Sequence, residues 1–145
     1  YCHALDDFAQ ALAIDPEWAS AYTNRGNLYG LIGEFELALN DYDRAVQLEP
    51  TRALVYANRG IALAGLGRYD EAERDLETAI SLDPTSAAPY FTLSFVFRER
   101  AEYPTAIEYV TQYLNLIGDE DTDERRIATQ FLSELETLNE ADTTP

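Results

Sequence analysis

Small and aromatic residues recur along the chain at three- and four-residue steps, and polar residues fill the positions between them. Tyr22, Gly26 and Tyr29 share one helical face, as do Ala38, Tyr42 and Ala45 in the next segment. The spacing predicts eight helices, near 2–14, 18–31, 35–48, 53–65, 69–82, 87–100, 103–117 and 122–139, and no strand. Gly33 and Gly67 fall between paired segments, where a tight helix-to-helix turn needs a permissive backbone. Asp15-Pro16, Glu49-Pro50 and Asp83-Pro84 close successive units, because proline disfavours helix at the residue before it.

These landmarks are periodic. Pro16, Pro50 and Pro84 are 34 residues apart, and so are Ala11, Ala45 and Ala79. Ala4, Ala38, Ala72 and Ala106 continue the series, and Asn24-Arg25-Gly26 returns intact as Asn58-Arg59-Gly60. Residues 19–52 superpose on 53–86 without a gap. Such a period marks a repeat architecture, in which each unit buries its apolar face on the next.

The period, the Tyr22…Gly26 and Tyr56…Gly60 pairs, the Ala38…Ala45 and Ala72…Ala79 pairs and the closing Pro50 and Pro84 resemble the tetratricopeptide repeat. The resemblance covers residues 1–120 and implies an all-α, right-handed helix-turn-helix repeat solenoid. By it, residues 1–18 supply the outer helix of an incomplete repeat, and 19–52 and 53–86 are full repeats. Residues 87–120 form a degenerate one, in which Ser94 replaces the glycine and Gly118 the proline. Residues 121–139 look like a capping helix with a stripe of Ile127, Phe131, Leu135 and Leu138, Leu132 beside it, and a capping box from Asp121 to Glu124. Residues 140–145 are expected to be a frayed tail.

The net charge is -17, from 27 acids against 10 bases, all arginine. That balance argues against nucleic acid and against an anionic membrane surface, both of which need clustered Lys and Arg. No apolar run is long enough for a transmembrane helix. One cysteine, Cys2, cannot form an internal disulfide, which fits a reducing compartment and a cytoplasmic location. The chain lacks methionine and starts within a repeat, so it is expected to be a piece of a longer protein.

Little here suggests catalysis. Neighbours in a helix point about 100° apart, so Cys2 and His3 cannot act as nucleophile and base. Zinc would need more ligands than they offer. Asp119-x-Asp121-x-Asp123 opens like a calcium loop, but Glu124 and Gln130 occupy the places of its glycine and glutamate. No cofactor or metal is expected, and the chain is read as a non-enzyme.

The resemblance implies a concave groove lined by inner helices that takes a segment of a partner protein. Residues 19–32 and 53–66 contain no acid, so the acidic surface falls mostly on outer helices. By resemblance the groove residues are Thr23, Asn24 and Asn27, then Leu54, Asn58 and Ile61, then Phe91, Thr92, Phe95 and Arg98. The phenylalanines have a second reading, packing against the capping helix. Family members that clamp the acidic tails of chaperones carry basic residues at three places, which here hold Thr23, Ala88 and Thr92. Arg25 and Arg59 read as stems packed between repeats with their guanidinium groups on nearby acids. Two alternatives stand beside peptide binding: a self-assembling structural domain and an accessory domain of a larger enzyme. A weak homodimer through Leu5, Phe8, Ala9 and Leu12 of the first helix belongs to the former. The Asn-Arg-Gly triplet resembles bacterial members of the family.

Overall fold

The computed structural model describes residues 2–120 and 122–143, with Cys2 described by its backbone alone. Among the described residues there are eight α-helices and no strand. They are α1 (Cys2–Ile14), α2 (Ala19–Leu31), α3 (Phe35–Leu48), α4 (Ala53–Gly65), α5 (Tyr69–Leu82), α6 (Ala88–Glu99), α7 (Tyr103–Ile117) and α8 (Asp123–Thr143). None is long and apolar enough to cross a membrane. The helices group into two units, Tyr1–Leu82 and Asp83–Pro145.

In the first unit α2 packs on α3 and α4 on α5, with α3 also lying against α4. The period-34 small residues are what allow this approach. Ala38, Ala45 and Ala72 are fully buried, and Ala79 is nearly so. A Cβ on Gly60 would lie 2.7 Å from Leu76 Cγ and 3.3 Å from the Ala72 carbonyl oxygen, and one on Gly26 would lie 2.8 Å from the Tyr42 ring. Any side chain at either place would wedge its helix pair apart.

Tyr22 and Tyr56 are only half-buried. Their hydroxyls donate to the carbonyls of Pro16 and Pro50, at 3.4 and 3.1 Å, and Tyr90 repeats the bond to Pro84 at 3.1 Å. Each closing proline is thereby tied to the inner helix that follows it.

The turns are built alike. Gly33 and Gly67 take φ of +81° and +72°, and the next residue's N–H reaches back to Tyr29 and Leu63 carbonyls at 2.9 Å. That geometry is the Schellman cap, which needs a left-handed residue after the helix. In the second unit Ala101 occupies the corresponding place with φ of +59°, and Glu102 N–H reaches the Phe97 carbonyl at 2.9 Å.

The second unit pairs α6 with α7 and lays α8 on α7. Ser94, standing for glycine, is buried and donates its hydroxyl to the Phe91 carbonyl at 2.7 Å. The α8 stripe differs from expectation. Ala128 and Leu135 are fully buried and Phe131 and Leu132 half-buried, whereas Ile127 is 61% exposed and Leu138 also faces outward. The close contact is made by the small Ala128, which turns its neighbour Ile127 about 100° away. Arg126, Gln130, Ser133 and Glu134 are exposed, as the stripe required.

Asp121 lies outside the described residues. Thr122 Oγ1 accepts the Arg125 N–H at 3.2 Å and starts the helix. The Arg125 guanidinium in turn donates to the carbonyls of Leu114 and Gly118 at the end of α7.

Candidate functional site

The inner helices of the first unit meet in one polar contact. Asn58 on α4 donates through Nδ2 to Asn27 Oδ1 on α2, at 2.7 Å. The Tyr42 hydroxyl, reaching under α2 from α3, donates to the same oxygen at 2.9 Å. Burial, and then the nearby Asp41 charge, push the Tyr42 phenol up to about 12, so it stays a donor across the physiological range.

Above this trio lies a concavity of about 480 Å³ lined by Asn27, Gly30, Leu31, Phe35, Tyr42, Leu54, Asn58, Ile61 and Ala62. Leu31, Leu54 and Ile61 are 72%, 52% and 40% exposed, an uncommon clustering of open aliphatic surface. Four of the six groove residues expected in this unit, Asn27, Leu54, Asn58 and Ile61, are thus brought together. Asn24 is exposed outside this lining. Thr23 is a correction: it is buried, with its hydroxyl donating to the Ala19 carbonyl at 3.0 Å, because its place on α2 faces the packed side.

Leu31, Phe35 and Tyr42 were not among the sequence-derived lining residues. Leu31 carries a signal in hindsight, since the repeat places Gly65 and Glu99 there. Phe35 enters because Gly65 leaves space for its ring, within 3.1 Å of where a Cβ would sit.

Arg25 and Arg59 are held away from this face. Arg25 meets Asp41 with two nitrogens at 2.8 and 2.6 Å. Arg59 does the same with Asp75 at 2.6 and 2.8 Å and adds Asp43 at 2.8 Å. The hydrogen bonds that the two arginines donate to Asp41 and Asp75 hold both guanidinium groups above their usual range, against a smaller opposing effect of burial. Although they lie on outer helices, where the acidic surface is expected, Asp41 and Asp75 are buried. Their own spacing of 34 was the available signal. The outer side of this unit carries a second cleft of about 420 Å³, where Arg59, Arg68, Glu71 and Asp75 are already paired among themselves.

In the second unit Phe91 packs against Tyr113 at 4.9 Å and edge-on against Phe131 of α8 at 5.7 Å. Arg98 lies over the rings of Phe95 and Phe131 at 4.8 and 5.3 Å and pairs with Glu99. Thr92 bonds its own helix through the Ala88 carbonyl. Phe91 is therefore engaged by α8, and Phe95 and Arg98 remain at the surface beside it.

Among the described residues no group of three or more His, Cys, Asp and Glu side chains is placed to hold a metal ion.

Residues 33–90 match the family described as Tetratricopeptide repeat. No curated protein matches. Among solved structures, the TPR2B domain of yeast Sti1, described as a complex with pHsp70, is 23% identical with a TM-score of 0.76, covering 82% of this chain and 96% of that one. The Arabidopsis OM64 TPR domain is 22% identical with a TM-score of 0.72, covering 80% and 94%. The first TPR of Spaghetti (RPAP3), bound to the HSP90 peptide SRMEEVD, is 21% identical with a TM-score of 0.74, covering 82% and 90%. At these identities the likeness is one of fold: an all-α helical repeat.

Proposed function

We propose, from the match of residues 33–90 to the tetratricopeptide repeat, that the chain is a protein-interaction module that binds a segment of a partner protein on the inner face of α2 and α4. The observation that carries this reading is the Asn58–Asn27 contact at 2.7 Å, set in a concavity whose other walls are exposed Leu31, Leu54 and Ile61. Side-chain amides offer donor and acceptor together, which suits a peptide backbone, and aliphatic walls suit a side chain. The Sti1 and RPAP3 domains, which share the fold, are described as a pHsp70 complex and as bound to an HSP90 peptide, and this supports peptide binding as a use of such a fold. In the second unit exposed Phe95, with half-buried Thr92 and Arg98 beside it, offers a further contact surface.

The test is capture of partners by the chain against a Leu54→Arg/Ile61→Arg variant. Both side chains are exposed, so the variant folds, as unchanged circular dichroism would verify. Partners retained by the native chain and lost by the variant support the reading. Equal retention by both would remove the inner face from binding.

A further inference from the structure

The chemistry of the concavity in Tyr1–Leu82 selects among occupants. None of the nine residues lining it carries a charge at neutral pH. Asn27 Oδ1 accepts from both Tyr42 and Asn58, which uses its two lone pairs. What remains is the Asn27 amide group and the second N–H of Asn58 as donors, with Asn58 Oδ1 as an acceptor. The Asn27 amide and Asn58 Oδ1 complement the carbonyl and the N–H of one residue of an extended chain, which point to the same side.

A carboxylate fares poorly at the same place. It would leave water for a site with no cation, and Asn58 Oδ1 would face it with lone pairs. The net charge of -17 adds repulsion at longer range. An aliphatic side chain, by contrast, would cover Leu31, Leu54 and Ile61 without stranding any polar group.

We propose, resting on the binding face inferred above, that the occupant is an uncharged apolar stretch of extended chain. One aliphatic side chain fills the concavity, and the carbonyl and N–H of the same residue bridge Asn27 and Asn58. Acidic tails are excluded from the site by its lack of cations.

The experiment is selection of short random displayed peptides on the full chain, followed by affinity measurement of the enriched sequence and of synthetic SRMEEVD as the acidic probe. Enriched peptides are expected to share a Leu, Ile or Val anchor without Asp or Glu beside it. SRMEEVD should bind at least about tenfold more weakly, since it meets no charged partner in the site. Methylating the anchor's amide nitrogen should weaken binding by about tenfold, through loss of the bond to Asn58 Oδ1. Enrichment of acidic tails, or indifference to N-methylation, would overturn the assignment of the occupant and leave the binding face standing. No enrichment at all, or enrichment unaffected by Leu54→Arg/Ile61→Arg, would overturn both.

Discussion

Arg59 grips Asp75 sixteen residues away with two parallel bonds, at 2.6 and 2.8 Å, and Arg25 holds Asp41 in the same way. Removing one partner of such a pair strands the other charge, which costs more than the pair contributes. Asp41→Ala is expected to destabilise by about 2–3 kcal/mol, less than a fully buried pair because Arg25 keeps some solvent contact. Asp75→Ala should cost less, since Arg59 retains Asp43. One period later the same two places hold Leu93, fully buried, and Tyr109, stacked on Phe97 at 5.4 Å. The double change Arg59→Leu/Asp75→Tyr is therefore expected to be milder than Asp75→Ala plus Arg59→Ala. Urea unfolding of the four variants checks this.

Ala101 takes the left-handed turn conformation that glycine takes at positions 33 and 67. A Cβ is strained there by about 1 kcal/mol. Ala101→Gly is expected to stabilise by roughly 0.5–1 kcal/mol, although glycine loses more freedom on folding. A fall in the melting temperature would mean the turn is not strained.

Gly60 has no space for a methyl group beside Leu76 and the Ala72 carbonyl. Gly60→Ala would gain about 1 kcal/mol of helix propensity, yet the overpacking should outweigh it and leave a net loss on the order of 1–2 kcal/mol. Gly60→Leu should lose more. A neutral result in urea unfolding would place the two helices farther apart.

Tyr42 has its phenol pushed up to about 12 from 10.0, first by burial and then by Asp41. A raised folded value means the folded state holds the proton more tightly. The stability this contributes is complete below about pH 10 and is lost as pH climbs through 12. Among the ten tyrosines, one late-titrating tyrosinate should vanish from the ultraviolet titration of Tyr42→Phe. An unchanged curve would contradict the burial of this hydroxyl beside Asn27.

The helices and their pairing were legible because small residues at fixed intervals leave few packing alternatives. Local rotations were not. Whether Ile127 or Ala128 enters the α8 contact depends on which side chain the facing helix can admit, and both continue the same apolar stripe. Thr23 illustrates the same limit: one step around α2 from Asn24, it is buried where its neighbour is exposed. Asn27 and Asn58 were identifiable as inner-face residues from the repeat. Their mutual bond was not, nor was the Tyr42 hydroxyl that shares its acceptor, since Tyr42 has no tyrosine counterpart at Leu76 or Val110.

The central claim is that the inner face of α2 and α4 is where a partner segment sits. Its most direct test is nuclear magnetic resonance of the labelled chain titrated with a bound partner peptide, following side-chain amides and methyl groups. The largest shifts are expected at the Asn27 and Asn58 amides and at the Leu31, Leu54 and Ile61 methyls. Shifts confined to outer-helix residues such as Asp43, Arg74 and Glu77, with Asn27 and Asn58 unmoved, would contradict it.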